Sequence, residues 1–184
     1  MKRPSIFTVG HSTRSIDEFV ELISAHGVKG IADVRSIPRS RHNLQFNADL
    51  LEYSLEQRDI SYKHIMELGG LRHARKDSPN LGWRNTSFRG FADYMATPEF
   101  SHGLDSLIKI AKDRETAIMC AEAVPWRCHR SLIADALTNK GWMVRDIMSR
   151  TVAARHRQTP FLKIRKGQLV YPEEPLRKLL ELVR

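Results

Sequence analysis

Residues 5 to 34 read SIFTVGHSTRSIDEFVELISAHGVKGIADV and contain the pattern of a complete β-α-β unit. The apolar and β-branched run at residues 5–9 predicts a first strand. A Ser-x-x-Glu capping box opens an apolar stripe that predicts a helix over residues 16–26, and Gly27 is a plausible stop for that helix. Residues 28–34 then predict a second strand, so the chain begins as an α/β protein.

The remaining sequence continues this alternation of strands and helices. Further helices and strands are predicted, in chain order, at residues 48–58, 61–65, 88–96, 105–112, 116–121, 127–140 and 142–147. The C-terminal part differs, because residues 161–164 and 168–171 flank Lys166-Gly167 as a hairpin would, and residues 175–183 predict a last helix. We therefore expect one domain over residues 1–184. Its predicted class is α/β, a mostly parallel sheet flanked by helices in a Rossmann-like three-layer arrangement, with a small C-terminal β-hairpin and helix.

Composition excludes several broad classes of protein. The 184 residues are 41% hydrophobic and 28% charged, which is ordinary for a soluble globular domain. A membrane helix needs about 18 consecutive apolar residues, and a secretory leader needs an apolar segment with a cleavage site; neither pattern is found. Two closely spaced cysteines do not resemble a secreted disulfide scaffold, although a redox-switchable bond between them stays open. The sequence predicts a cytoplasmic protein without a membrane partner.

The net charge of +9 is concentrated in predicted loops. Residues 35–41 and 127–130 are rich in arginine, and residues 71–90 carry five Arg or Lys residues against Asp77 alone. Together these three segments carry the whole net charge of +9, and the rest of the chain is balanced. Clustered positive charge favours an anionic partner, for which a nucleotide or a nucleic acid is a candidate. No oligomeric state is predicted.

Polar side chains follow three of the predicted strands. They are His11 and Ser12, Asp33 and Arg35, and Cys120 and Glu122. Ligands of open α/β sheets bind outside the carboxyl ends of the strands, so these side chains are expected to share one crevice if the three strands are parallel neighbours. Each has a structural alternative as well, such as an ion pair between Asp33 and an arginine or a helix cap formed by His11.

The segment CAEAVPWRCHR, residues 120–130, holds the only two cysteines of the chain together with a carboxylate, a histidine and two arginines. Cys128 has basic neighbours at a predicted helix start, which is an environment that lowers the pKa of a thiol. Cys120 is the other candidate thiol, or a small packed hydrophobic residue at a strand end. Adjacent residues on a helix do not face one another, so His11 or Glu122 is the better candidate for a base.

These residues divide into two predicted roles. The candidate catalytic residues, which would supply the thiol and handle protons, are Cys128, Cys120, Glu122, His11 and His129. The candidate anion-binding residues, which would hold a phosphate group, are Arg35, Arg39, Arg127, Arg130 and Ser12.

The long basic segment at residues 71–90 is a second candidate for binding. It interleaves cations with aromatic side chains, a composition that suits phosphates and stacked bases of single-stranded nucleic acid. Its candidate nucleic-acid-binding residues are Arg72, Arg75, Lys76, Trp83 and Arg84. The alternative is a solvated loop whose Trp83 is anchored in the core.

Familiar cofactor and metal motifs are not found. The sequence contains no Walker loop, no Gly-x-Gly-x-x-Gly and no Gly-x-Ser-x-Gly, so no nucleotide cofactor is predicted. A zinc deaminase would have cysteine after the proline of its second motif, whereas here Trp126 follows Pro125. Zinc accepts the ligand types of Cys120, Cys128, His129 and His11, but no Cys-x-x-Cys or His-x-x-x-His pair supports such a site, and no metal is predicted.

Four motifs resemble one known family. They are Thr8-Val9-Gly10-His11-Ser12, Asp33-Val34-Arg35 followed by Pro38 and Ser40, Leu68-Gly69-Gly70, and Cys120-x-Glu122 followed by Cys128-His129-Arg130. Their order closely resembles that of the domain of unknown function 488 family over nearly the whole chain. Because that family is named for its lack of an established activity, the resemblance implies the organisation of the chain and no particular reaction.

Two hypotheses for function follow from these residues. The first is an intracellular enzyme acting on an anionic, phosphate-bearing substrate, such as a nucleotide or nucleic acid, through a Cys/His/Glu/Arg site at the strand ends. The second is a non-catalytic nucleic-acid-binding module whose polar crevice is structural. The substitution Cys128→Ser separates them, since an enzyme would lose turnover and a binding module would keep its function.

Overall fold

The computed structural model describes residues 3–173 and forms a six-stranded sheet covered by helices. The strands of the sheet are β1 (Ser5–Gly10), β2 (Gly30–Asp33), β3 (Ser61–His64), β4 (Thr116–Cys120), β5 (Met143–Ile147) and β6 (Ala153–Arg155). Their order across the sheet is β3-β2-β4-β1-β5-β6. The pairs from β3 to β5 are parallel, and β6 alone runs antiparallel. The predicted α/β class is confirmed.

Helices cover both faces of this sheet. They are α1 (Ile16–Ser24), α2 (Ala48–Glu56), α3 (Thr86–Tyr94), α4 (Pro98–Asp113) and α5 (Arg130–Asn139). Successive strand residues point to opposite faces. Phe7 of β1 packs with residues of α1 and α2, whereas Ile6 packs with residues of α3, α4 and α5. The protein therefore has the three-layer arrangement that its alternating pattern predicts.

The first β-α-β unit forms as its local sequence predicts. The Ser15 hydroxyl accepts a hydrogen bond from the Glu18 backbone N–H at 3.2 Å, and the Glu18 carboxylate accepts one from the Ser15 N–H at 2.7 Å. This capping box satisfies two donors that the start of α1 would otherwise leave unpaired. Gly27 follows α1 with a φ of +71°, which glycine adopts at little cost.

Two helix boundaries differ from the prediction by three residues or more. Helix α4 starts at Pro98 rather than near residue 105, because Thr97 caps it and proline suits a first turn. Helix α5 starts at Arg130 rather than at residue 127, because Pro125–Arg127 form a separate 3₁₀ turn and Cys128 is extended. Cys128 therefore lies just before the first turn of α5, where backbone N–H groups are unpaired.

The C-terminal part of the described chain forms the predicted hairpin, with strands β7 (Lys163–Arg165) and β8 (Gln168–Val170). Lys166 and Gly167 both have positive φ angles at its turn. Strand β6 is too short for its alternation to have predicted it. The helix predicted at residues 175–183 lies outside the described residues. No helix between residues 3 and 173 is long and apolar enough to cross a membrane.

Candidate functional site

The carboxyl ends of β1, β2 and β4 lie side by side and open into one cleft. Gly10 pairs with Cys120 and Asp33 with Met119, so the polar residues after these strands reach the same edge of the sheet. The cleft has a volume of about 710 Å³. The predicted site residues that line it are His11, Ser12, Arg35, Arg39, Cys120, Glu122, Arg127, Cys128 and His129.

The loop between β4 and α5 crosses closely over the end of β1. A Cβ atom placed on Gly10 would lie 1.9 Å from the carbonyl oxygen of Glu122, so only glycine fits there. The loop is also tied to β1 by hydrogen bonds, from the His11 N–H to the Cys120 carbonyl and from the Ser12 N–H to the Ala121 carbonyl. Ser12 has a φ of +54°, the left-handed region that is costly for a residue other than glycine.

Two free thiols and an imidazole meet on the floor of the cleft. The Sγ atoms of Cys120 and Cys128 and the Nδ1 atom of His129 all lie within 4.8 Å of one another. Cys128 Sγ is 3.7 Å from His129 Nδ1. Both cysteines are buried and unpaired. The site therefore has two possible sulfur nucleophiles and one base in direct contact.

The orientation of His129 is set by its surroundings. Its Nε2 atom lies 3.0 Å from the Val34 carbonyl and 3.1 Å from the Leu68 carbonyl. Carbonyls only accept, so Nε2 carries a proton and donates to them, and Nδ1 faces the thiols. The ring packs on Phe91 with centroids 4.9 Å apart, and Gly70 lies so close that a Cβ there would be 2.4 Å from Nδ1.

The two thiols have opposite pKa shifts. The hydrogen bond donated by the Cys120 thiol lowers the pKa of Cys128 to about 7, with Arg130 assisting and burial opposing. The Arg130 backbone N–H also donates to Cys128 at the start of α5, as expected for a thiolate at a helix N-terminus. The same bond to Cys128, together with burial, raises the pKa of Cys120. Cys128 is therefore the more acidic thiol of the pair.

Arg130 lies behind the cleft and not in its lining. It is 1% exposed, and its guanidinium donates hydrogen bonds to the backbone carbonyls of Glu122 and Ala123. Its charge also favours the Cys128 thiolate. Arg130 is one of the predicted anion-binding residues. Its guanidinium holds the β4–α5 loop and favours the thiolate form of Cys128, but it does not line the cleft.

Arg35 and His11 form a buried polar wall. Asp33 accepts hydrogen bonds from the Arg35 guanidinium and from the Tyr62 hydroxyl at 2.8 Å. Arg35 in turn points Nη1 at His11 Nε2, 3.4 Å away, while His11 Nδ1 lies 2.7 Å from the Ser12 carbonyl. Burial lowers the pKa of His11 to about 4, with Arg35 contributing, so His11 is neutral. Both ring nitrogens of His11 are engaged, whereas Nδ1 of His129 faces the thiols.

The exposed positive charge of the cleft comes from two arginines. Arg39 and Arg127 line the cleft and are exposed to solvent, whereas the charge of Arg35 is neutralised by Asp33. Ser12 and Glu122 are half-buried in the same lining. Residues that the sequence did not single out complete the wall, and polar ones among them are Ser36, Asn43, Asn85 and Ser87. Serine and asparagine are common in loops, so their sequence carried no signal.

The predicted nucleic-acid-binding residues do not line this cleft. The Arg72 guanidinium stacks on the Tyr94 ring, 3.8 Å from its centroid, and Arg75 pairs with Asp77. Trp83 packs among aromatic rings, 4.8 Å from Phe88 by centroid distance. The other two predicted residues, both exposed, are Lys76 and Arg84.

Buried side chains fix the same segment to the fold. Asp93 accepts hydrogen bonds from the Ser78 hydroxyl, the Asn80 amide and the Arg75 backbone N–H. Asn80 in turn accepts one from the Tyr171 N–H. Residues 71–85 are therefore fixed to the fold, and Trp83 is partly buried against the core.

A second cleft of about 630 Å³ lies on the other side of the β4–α5 loop. Trp126 is 65% exposed at this cleft, and His156 lies at its base between two carboxylates. His156 Nε2 is 3.1 Å from Asp135 and Nδ1 is 3.2 Å from Asp146. Burial opposes protonation, but the two carboxylates outweigh it and raise the pKa of His156 to about 9. His156 stands between Arg155 and Arg157 in the sequence, and nothing in this pattern indicates a buried group.

The donor atoms on the cleft floor are also types that zinc accepts. Cys120, Cys128 and His129 supply two thiols and an imidazole within 4.8 Å. A closed zinc site takes four ligands, and the group formed by the described residues has three. A metal would need a further ligand from solvent or substrate, and without one the thiols and imidazole remain available as reactive groups.

The fold and cleft define an α/β protein with a two-cysteine site at the carboxyl ends of its parallel strands. The family model described as Domain of unknown function DUF488 matches residues 15–137, which is more than half of the chain. The chain therefore belongs to this family, as its motifs predicted. The match includes both cysteines and ends within α5. Comparisons with curated proteins and with solved structures found no match.

Proposed function

We propose that this protein is a thiol-dependent enzyme that acts on an anionic, phosphate-bearing substrate. The observation that carries the proposal is the contact of Cys128 with both Cys120 and His129 at the base of a cleft lined by arginines. Cys128 acts as the nucleophile, because its thiolate form is favoured at the start of α5. We place the reaction in the cytoplasm, where free thiols persist.

The other residues of the cleft take roles that follow from their contacts. His129 exchanges protons through Nδ1, since Nε2 is occupied by two carbonyls. Arg39 and Arg127 hold the anionic group of the substrate, because they are exposed cations without an ion-pair partner among the described contacts of the cleft. Arg35 presents a fixed donor beside His11. Glu122 is a second candidate for proton transfer in the lining.

The test is pH-dependent alkylation of the native protein with iodoacetamide in metal-free buffer, with the modified cysteine assigned by mass spectrometry. We expect Cys128 to react with a midpoint near pH 7, and Cys120 to react far more slowly, because its pKa is raised. Phosphate or a mononucleotide should slow the alkylation of Cys128 by occupying the cleft. Arg39→Gln should weaken that protection, and Arg165→Gln on the hairpin should not.

Two results would contradict the proposal. If both thiols stay unreactive up to pH 9 in the folded protein, Cys128 is only a packed residue. If Cys128 reacts but no anion protects it, the cleft has a thiol without an anionic substrate. Cys120→Ser and Cys128→Ser variants assign each rate to its residue.

A non-catalytic nucleic-acid-binding module is the second candidate function. The observation that favours it is Trp126, an aromatic side chain 65% exposed beside Arg155 and Arg157 of the second cleft. An exposed aromatic ring with nearby cations suits a stacked base and its phosphate. In that case single-stranded RNA binds the protein with an affinity that falls steeply with salt concentration. Trp126→Ala weakens this affinity, and Cys128→Ser leaves it unchanged.

A further inference from the structure

The second cysteine of the cleft has no role in a mechanism that uses Cys128 alone. Its sulfur lies within 4.8 Å of the Cys128 sulfur, and the two are not bonded. A disulfide bond is about 2 Å long, so the sulfur atoms need to approach by less than about 3 Å to join. Cys128 lies in an irregular segment between the 3₁₀ turn and α5, where backbone dihedrals can adjust more easily than in the strand that carries Cys120.

The surroundings of the two thiols make one thiol more acidic than the other, as a reaction with a first and a second attacking thiol requires. Cys128 is extended before α5, with the Arg130 backbone N–H and guanidinium favouring its thiolate. Cys120 ends β4 and is kept protonated by its hydrogen bond to Cys128 and by burial. In thiol–disulfide exchange the more acidic thiol attacks first, and the second attacks the mixed disulfide that results. His129 Nδ1 lies beside both sulfurs and can take the proton of Cys120 when that attack occurs.

The cleft also limits the chemistry of the molecule attached to Cys128. An adduct held on Cys128 through sulfur has a thiolate as its leaving group, so Cys120 can release it by forming a disulfide with Cys128. A volume of about 710 Å³ suits a small molecule rather than a folded protein. Exposed Arg39 and Arg127 in the lining favour a small molecule with negative charge.

We propose that Cys120 is the resolving thiol of this site, and that the cleft reduces the S–S bond of a small anionic disulfide. The inference rests on the proposed function, because it uses Cys128 as the nucleophile and the arginines as the anion site, and it specifies a disulfide whose negative charge comes from phosphate or carboxylate groups. The phosphate or carboxylate groups of the disulfide bind the arginines, and its sulfur atoms lie above Cys128.

The reaction consists of two balanced thiol–disulfide exchanges. The Cys128 thiolate attacks one sulfur of R–S–S–R, which forms Cys128–S–S–R and releases RS⁻, and this thiolate takes a proton from solvent. His129 then accepts the proton of Cys120, whose sulfur attacks Cys128 Sγ and expels the second RS⁻, which is protonated in turn. The substrate gains two electrons as two thiols, and the protein is left with a Cys120–Cys128 disulfide. An external dithiol reductant returns the protein to its starting state.

The experiment uses the full-length protein, reduced and held in chelator-containing buffer, with oxidised glutathione as the anionic disulfide. We expect the wild-type protein to release two equivalents of reduced glutathione and to gain an internal disulfide. Cys120→Ser should release one equivalent and accumulate glutathione on Cys128, and Cys128→Ser should release little. Cys120→Ala is a second variant in case the serine disturbs the buried strand end. Cystamine, a cationic disulfide, should react at least about tenfold more slowly, and Arg39→Gln should reduce that difference.

The outcomes separate this inference from the function on which it rests. If wild type and Cys120→Ser hold the glutathione adduct equally long, Cys120 is not a resolving thiol, although Cys128 remains a nucleophile. If cystamine reacts as fast as oxidised glutathione, the anionic substrate class is wrong. If Cys128 reacts neither with glutathione disulfide nor with iodoacetamide, both the inference and the proposed thiol enzyme fail.

Discussion

At the residue scale, the reactivity of the cleft depends on a side chain that lies outside it. Arg130 sits at the first position of α5, is 1% exposed, and reaches the carbonyls of Glu122 and Ala123. The same guanidinium favours the Cys128 thiolate. One buried charge therefore both shapes the β4–α5 loop and supports the acidity of the thiol.

Replacing this arginine should affect stability and thiol acidity together. Arg130→Met leaves two carbonyls without their buried donors, and we expect a loss of about 2 to 4 kcal/mol in the free energy of unfolding. The pKa of Cys128 should rise from about 7 toward its ordinary value, because a positive neighbour is lost. Urea unfolding and the pH profile of alkylation measure the two effects. Arg127→Met is the matched control. Arg127 is exposed, so this substitution should change the free energy of unfolding by less than about 0.5 kcal/mol. Equal effects of the two variants would contradict this account.

At the scale of elements, the site is assembled where three connections meet. The β4–α5 loop supplies Cys128, the segment after β2 supplies Arg35 and Arg39, and the segment after β3 supplies Gly70 against the His129 ring. Each connection follows a parallel strand, so the chain turns at the same edge of the sheet each time. Gly70 and the Leu68 carbonyl are the contacts by which the third connection sets the position of the base.

A methyl group at Gly70 should move His129. The added Cβ would lie 2.4 Å from Nδ1, so Gly70→Ala should displace the ring from the Val34 and Leu68 carbonyls and cost about 1 to 3 kcal/mol. Nitrogen chemical shifts of the imidazole report the loss of the Nε2–H tautomer, and urea unfolding reports the stability. Gly27→Ala is a control, because it is strained by its φ of +71° but lies away from the cleft. Unchanged imidazole shifts in Gly70→Ala would show that the ring is not held by this contact.

At the scale of the whole molecule, a buried charged cluster joins α5, β5 and the segment after β6. His156 contacts Asp135 and Asp146, and Asp135 also accepts hydrogen bonds from the hydroxyls of Thr159 and Tyr171. The two carboxylates hold the imidazole in its charged form. This cluster secures the edge of the sheet on the far side of the β4–α5 loop from the thiols.

The cluster makes stability depend on pH with a defined sign. The pKa of His156 is raised from 6.5 to about 9, so the native state binds this proton more tightly than the unfolded chain. Its contribution is complete below about pH 6.5 and is lost as the pH rises through about 9. The protonated His156 contributes at most about 3 kcal/mol to the free energy of unfolding.

Urea unfolding of wild type and His156→Gln across this pH range isolates the contribution of His156 to the free energy of unfolding. The comparison also cancels the contribution of Cys128, because both proteins contain it. The lowered pKa of Cys128 changes stability with pH in the opposite direction. We expect the wild-type advantage to shrink as the pH rises, while His102→Gln, an exposed control on α4, follows wild type. Parallel curves for wild type and His156→Gln would mean that folding does not raise the pKa of His156.

The sequence by itself determined the elements that depend on neighbouring residues. The capping box of α1, the stop at Gly27 and the two-residue hairpin turn are local patterns, and they form as predicted. Parallel strands also place their carboxyl ends together, which is why His11, Arg35 and Cys120 could be predicted to share a crevice. Helix α5 was misjudged by three residues, because a 3₁₀ turn and a helix share the same local preferences.

Only the tertiary structure decided which of these residues touch one another. His129 is oriented by the carbonyl of Val34, 95 residues away in the chain, and His156 by Asp135 and Asp146. Arg130 and Arg127 have the same side chain and almost the same position in sequence, yet one is buried against carbonyls and the other is exposed. The direction of a side chain depends on packing between elements, and local sequence does not encode such long-range contacts. For that reason the meeting of Cys120, Cys128 and His129 could be named as a candidate site from sequence but obtained its geometry only from the fold.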